Sequence, residues 1–238
     1  MIRPICQLMF AAFVFSPLLL SPVSVGQEPA GTARWVDLFS QTDQGHFARW
    51  ERLGENKGAN EIAKNWRVTE DGWLHLYKPG GHGSSLLLKD EIGDFELSFF
   101  WKIKTNANNG IKFRVRDYGG NTLGIEYQLL DDVAQDKTIP RHRTAAMYDL
   151  FEPSDLKPLN AAESVNHSRI CGRGTRNEHW LNGVLVVEAE AGSEAWNAAV
   201  DRSKFKPHEG FGQNEKGRLL FTDHGGEIWF RDVLLRTF

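Results

Sequence analysis

Ile111-Lys112-Phe113-Arg114-Val115-Arg116 and Gly124-Ile125-Glu126-Tyr127-Gln128-Leu129 each alternate an apolar residue with a long polar one. Successive side chains on a strand point to opposite faces. Lys112, Arg114 and Arg116 therefore fall on one side of the first stretch, and Glu126 and Gln128 on one side of the second. The intervening Asp117-Tyr118-Gly119-Gly120-Asn121 has the composition of a turn. Pairing through it merges the polar faces into one patch, backed by Ile111, Phe113, Val115, Ile125, Tyr127 and Leu129 as core. Such a patch serves equally as a sugar-binding surface or as an ordinary solvated sheet face.

The rest of the 238-residue chain repeats this strand signal. Trp73 to Tyr77 alternates after an Asp71-Gly72 turn, and Ser84 to Leu88 follows Gly80-Gly81-His82-Gly83. Asp94 to Lys104 places Phe95, Leu97, Phe99, Trp101 and Ile103 on one face. Glu178 to Leu181 and Val184 to Val187 flank Asn182-Gly183, a dipeptide that supplies the positive φ of a two-residue hairpin turn. A second hairpin is expected at the C-terminus, Arg218 to His224 returning through Gly225-Gly226 and Glu227 to Leu235. Many short strands with glycine-rich turns indicate an all-β fold, an antiparallel β-sandwich or jelly roll. Two stretches resist strand assignment. Asp131 to Ser168 is polar and long enough to be a functional crossover loop or lid. Glu190 to Gly217 holds a short helix candidate at Glu194 to Lys204.

Composition bounds the function. Arg3, an apolar run from Ile5 to Leu20 and small residues ending in Ser24-Val25-Gly26 read as a secretory signal over residues 1–26, leaving a single domain over 27–238 in the periplasm or outside the cell. A membrane anchor is the rival reading, but Pro17 and Pro22 interrupt the run, and no later segment is apolar enough to span a bilayer. Of two cysteines, Cys6 lies in the signal and Cys171 stands alone, so stability must come from packing rather than an internal disulfide. Loss of the signal removes Arg3 and takes the formal net charge from −3 to −4, which argues against nucleic acid as a partner. Eight tryptophans suit both a core and sugar stacking.

Asn108-Asn109-Gly110-Ile111-Lys112-Phe113-Arg114, Gly124 through Asp132, Ala145-Ala146-Met147-Tyr148, Glu178-His179-Trp180-Leu181-Asn182-Gly183 and Asp223-His224-Gly225 before Phe230-Arg231-Asp232 occur in a fixed order. In that order, and in the opening Trp35-Val36-Asp37-Leu38-Phe39, the chain resembles the 3-keto-disaccharide hydrolase domain family. The resemblance implies a concanavalin-like jelly roll that cleaves sugars already oxidised at C3, in exported proteins of sugar-degrading bacteria. Two departures stand out: Glu163-Ser164-Val165-Asn166 replaces a Gly-Glu-Trp-Asn stretch, and Thr222 stands where the family favours Gln.

A 3-keto sugar offers a route that ordinary glycosidases, with two carboxylates flanking the bond, do not use. The ketone acidifies the C2 hydrogen; a base removes it, an enolate forms, and the C1 substituent leaves. Water then adds back. Such a site needs a base near working pH, a cation or donor at the oxyanion, and an acid for the leaving oxygen. His224 is the first candidate for base or acid, its alternative role being to cap the hairpin. Glu126 is the second, its alternative a cross-strand ion pair with Arg114. Arg114, Gln128, Asp131, Lys112, Tyr148 and Asp223 are expected to bind substrate. Asp131, Asp132 and Asp136 match no defined calcium loop, so no metal and no cofactor is called for. His179 reads as a strand residue of surface or core. The partner is a carbohydrate, cleaved by elimination with water addition or by direct hydrolysis. A non-catalytic, lectin-like carbohydrate-binding module remains the alternative, because the same architecture carries both.

Overall fold

In a computed structural model describing residues 33–54 and 59–238, the alternating stretches become strands. In chain order these are β1 (Val36–Asp37), β2 (Trp50–Arg52), β3 (Trp66–Val68), β4 (Leu74–Leu76), β5 (Leu86–Leu88), β6 (Phe95–Ile103), β7 (Asn108–Asp117), β8 (Thr122–Leu130), β9 (Asn166–Arg173), β10 (Arg176–Leu181), β11 (Val184–Glu190), β12 (Arg218–Asp223) and β13 (Ile228–Thr237). Two short helices, α1 (Ala59–Ile62) and α2 (Glu194–Asp201), interrupt them. The expected signal over residues 1–26 lies outside the described residues.

The strands form two antiparallel sheets. The larger runs β11-β10-β9-β6-β13-β4-β3, with β1 also on β13, and the smaller runs β2-β5-β12-β7-β8. This is the antiparallel sandwich that the strand pattern predicts. Their inner faces meet in one core, where rings from opposite sheets pack at geometries that suit the aromatic quadrupole. Phe99 of β6 meets Tyr127 of β8 edge-on at 6.0 Å between centroids, and Phe221 of β12 meets Phe230 of β13 at 5.0 Å. Tyr127 keeps its hydroxyl satisfied in that core against the Ser168 hydroxyl at 2.8 Å. Among the described residues, no helix is long and apolar enough to cross a membrane.

The Asn182-Gly183 hairpin is as expected: Leu181 pairs with Val184, and both turn residues have positive φ. The β7–β8 hairpin also forms, its turn closed by the Asp117 carboxylate accepting from the Gly120 amide at 2.6 Å. The C-terminal hairpin does not. Arg218–Asp223 pairs with β5 and β7 in the smaller sheet, whereas Ile228–Thr237 pairs with β1, β4 and β6 in the larger. Gly225-Gly226 is a crossing between sheets. A Cβ on Gly226 would sit 2.6 Å from the Asn108 amide nitrogen, so the chain passes there only without a side chain.

A second departure bears on the polar face. Register slips between Phe113 and Arg116 in β7, and Arg114 at the bulge has φ 52°. Strict alternation fails at this point, as a bulge dictates. Val115, expected in the core, joins Leu87 and Leu220 in a small separate cluster instead.

Two loops complete the site. The segment before Asp149 runs alongside β8, the Ala145 amide donating to the Gln128 carbonyl at 2.9 Å and the Tyr148 amide to the Glu126 carbonyl at 3.0 Å. Helix α2 starts on Ser193, whose hydroxyl accepts from the Trp196 amide, and ends at Asp201, before the expected Lys204. The buried Trp196 holds the following loop by donating to the Phe211 carbonyl at 3.0 Å.

Candidate active site

Lys112 of β7 stands directly across from Glu126 of β8, and Gly110 across from Gln128. These positions face away from the core, on the polar side that period-two alternation predicts. His224 follows β12 and reaches the same place: its Nε2 lies 3.2 Å from Glu126 Oε1. The Lys112 ammonium lies 3.8 Å from the other carboxylate oxygen. His82, Asn108, Gln128, Tyr148 and Lys204 complete the lining of a cavity of about 220 Å³ around that pair.

Its electrostatics follow from who is buried with whom. Burial pushes the Glu126 carboxyl up, but Lys112, the His224 hydrogen bond and Lys204 outweigh it and hold the group below the ordinary carboxylate range. Glu126 is therefore ionised and can only accept, which places a proton on His224 Nε2, so that in the neutral ring the lone pair is on Nδ1. Desolvation and the neighbouring Lys112 pull Lys204 below a normal lysine, against the opposing pull of Glu126 and Asp149. Desolvation, then Glu126 and Asp149, raise the Tyr148 phenol, which stays protonated. His82 packs edge-on against His224 at 4.6 Å, and desolvation together with His224 lowers its pKa. The carboxylate of Asp149 is already engaged by Arg141 at 3.0 Å and His142 at 2.8 Å. Lys112 is thus paired with Glu126 beside the cavity, while the Lys204 ammonium lines the wall and feels the same carboxylate without an ion pair to it.

Buried side chains hold this set in place. Asp223, fully buried, accepts from the Gly80 amide at 2.8 Å, the Ser84 hydroxyl and the Gly225 amide at 2.8 Å. It fixes at once the loop that carries His82 and the turn that carries His224. Asp149 does the same across the cavity: its Oδ2 accepts from the Lys204 amide at 2.8 Å, tying that loop to the one bearing Tyr148. Gln128 donates to the Asn108 side chain at 2.6 Å.

Of the residues expected at the site, His224, Glu126, Gln128 and Tyr148 line the cavity, Lys112 stands beside it on the Glu126 carboxylate, and Asp223 supports it from behind. Arg114 does not converge. The bulge turns its guanidinium away, and it donates instead to the carbonyls of Asn214 at 2.8 Å, Glu215 at 2.7 Å and Gly174 at 2.7 Å. Lys112 takes the place expected of it beside Glu126. Asp131 is also spent on backbone, accepting from Asn106 at 2.8 Å and from Val133 and Ala134 at 3.2 Å each. Thr222 donates to the Gly110 carbonyl at 3.0 Å and is not among the cavity's lining residues. His179 is wholly buried, its Nδ1 3.0 Å from the Ala145 carbonyl. His82, Asn108 and Lys204 are additions that the alternation could not supply. The Gly80-Gly81-His82-Gly83 stretch was the one local hint, since glycines on both sides let a loop bring a ring close.

The two-sheet antiparallel sandwich with an ionisable cavity on one sheet is that of a carbohydrate-active enzyme, as its relatives show. Residues 34–236 match the model of the 3-keto-α-glucoside-1,2-lyase-like domain, and the chain belongs to that family. A 3-keto-disaccharide hydrolase of Bacteroides thetaiotaomicron is 24% identical over 244 residues, covering 88% of this chain and 80% of the relative. Among solved structures, a candidate glycosyl hydrolase from Parabacteroides distasonis superposes with a TM-score of 0.72 at 25% identity, covering 86% of this chain and 94% of the other. A second such protein of the same organism gives 0.66 at 23%, covering 86% and 100%.

Proposed function

We propose that the protein cleaves the glycosidic bond of 3-keto-glycosides, disaccharides included, by removing the C2 proton and expelling the C1 substituent. The observation that carries this reading is the His224–Glu126 hydrogen bond inside a cavity that Lys204 also lines, with Lys112 on the far oxygen of the same carboxylate. Nδ1 of His224 takes the C2 proton, and Glu126 stabilises the imidazolium that results. The electron pair moves onto the C3 oxygen as an enolate, next to the Lys204 ammonium on the cavity wall, where a preorganised cation is most effective. The enolate then collapses, forming a C1–C2 double bond conjugated with the ketone while the C1–O bond breaks. Tyr148, held protonated, supplies the donor for the leaving oxygen. Water adds at C1 while its proton restores Tyr148. The His224 imidazolium, having exchanged with solvent once the leaving group departs, delivers a proton to C2, and the net reaction is hydrolysis. A lectin-like module has no use for such a pair.

The test is to incubate purified protein with a 3-keto-disaccharide and with its unoxidised parent. Cleavage of the keto sugar alone is expected, with deuterium entering at C2 in heavy water. His224→Ala is expected to lose about 10²- to 10⁴-fold in kcat, the usual worth of a positioned acid–base group. Failure on both sugars rejects the reading. Deuterium absent from C2 moves it to direct hydrolysis. Export belongs to the same proposal, and mass spectrometry of the protein from its native host is expected to find residues 1–26 missing.

A further inference from the structure

The phenol of Tyr148 has a partner outside the cavity. The His142 imidazole lies nearly parallel to its ring, with 17° between planes and 4.4 Å between centroids, and is not among the residues lining the cavity. We propose that His142 is a positioning residue for the leaving-group acid: by stacking on Tyr148 it aims the phenol at the departing oxygen without touching substrate itself. The inference rests on the role given to Tyr148 in the glycosidase reading.

Tyr148 has little else to direct it. Its amide donates to the Glu126 carbonyl at 3.0 Å, which fixes the backbone beside the base. Two side-chain torsions remain, and among the described residues the hydroxyl forms no hydrogen bond that would settle them. Besides its packing on the core, the ring meets the His142 imidazole and the Lys204 ammonium, the latter 4.3 Å from its centroid. Of these two only the imidazole is flat, and a flat partner restricts the tilt of the ring as well as its distance.

His142 is itself anchored. It closes a short 3-10 turn, Pro140–His142, with its amide donating to the Ile139 carbonyl at 2.9 Å. Its Nε2 donates to the Asp149 carboxylate at 2.8 Å, beside Arg141 Nε at 3.0 Å on the same oxygen. Held at backbone and ring, the imidazole is a plate against which the phenol is registered.

The aim of an acid matters in proportion to the basicity of what departs. A methoxide oxygen leaves only as it gains a proton, whereas p-nitrophenolate leaves without one. Removal of the C2 proton belongs to His224 and does not call on Tyr148. A loss confined to the basic leaving group is thus the signature of a misplaced acid, and a general loosening of the fold does not produce it.

The test compares 3-keto methyl glucoside with 3-keto p-nitrophenyl glucoside in wild type, His142→Ala, His142→Phe and Tyr148→Phe. For His142→Ala, kcat on the methyl glycoside is expected to fall about tenfold or more. On the p-nitrophenyl glycoside it should stay within about twofold, which also shows the variant to be folded. In heavy water, deuterium should accumulate at C2 of the recovered methyl substrate, because abstraction continues while expulsion stalls. His142→Phe keeps a flat ring without the bond to Asp149 and is expected to restore the methyl rate to within about threefold of wild type. Equal losses on both substrates, no loss on the methyl glycoside, or a His142→Phe as poor as His142→Ala overturn the inference alone. Tyr148→Phe that is blind to the leaving group removes the acid assignment, and this inference with it. A wild-type protein inactive on both substrates rejects the glycosidase reading as a whole.

Discussion

Gly110 lies beneath the Glu126 carboxylate: a Cβ there would come within 3.0 Å of the carboxyl carbon and closer still to Oε1. The bare Cα is what allows the carboxylate to lie down against the sheet and meet His224. Gly110 has no positive φ to demand glycine, so the constraint is space. Gly110→Ala is therefore expected to displace Glu126 from its 3.2 Å contact and lower kcat about tenfold or more, while thermal unfolding changes little. An unchanged kcat with a lowered melting temperature would refute this.

Arg114 is expected to behave as a structural residue. Its guanidinium ties Gly174 to Asn214 and Glu215, and only 2% of the residue is exposed. Arg114→Met is expected to cost about 3 kcal/mol in urea unfolding, the scale of charged hydrogen bonds lost from a buried site. KM for the keto sugar should stay within about twofold of wild type.

Asp149 joins the two loops that supply Tyr148 and Lys204. Asp149→Ala frees both and leaves Arg141 and His142 without their shared carboxylate. Losses of about 2 kcal/mol in stability and about tenfold or more in kcat/KM are expected together. Chemical unfolding and kinetics on one sample check the pair of effects.

Acid sensitivity should trace to His179. Burial is the main cause that lowers its pKa, to about 4, from an unfolded value near 6.5. Between those values the unfolded chain binds a proton that the native one refuses, so stability falls as pH drops through that window and levels off below it. The full span is worth on the order of 3 kcal/mol. His179→Gln is expected to flatten the dependence of unfolding free energy on pH between about 6.5 and 4. A slope equal to wild type would assign the effect elsewhere.

Much of this molecule could be read from its residues, for reasons specific to each element. Phe95 to Ile103 puts an apolar residue at every second position, and Asn182-Gly183 supplies the turn, so β6 and the β10–β11 hairpin follow directly. Glu126, Gln128 and Lys112 share a face by the same rule. Arg114 escaped because no residue type announces the slip after Phe113. Gly225-Gly226 fits a hairpin and a crossing equally well, and the choice depends on which strands are free to pair. Lys204 and His82 reach the cavity from loops, fixed by Asp149 and Asp223, partners 55 and 143 positions away along the chain for the Lys204 and Gly80 amides.

The crossing at Gly225-Gly226 makes His224 the last side chain before the polypeptide leaves one layer for the other, with Phe221 and Phe230 touching edge-on just behind it. Any slippage between the layers is transmitted to the imidazole over a lever only a few residues long. Trimming those rings, well away from the cavity lining, should consequently misalign proton transfer before it unfolds the protein, so that the sandwich filling sets the tuning of the chemistry.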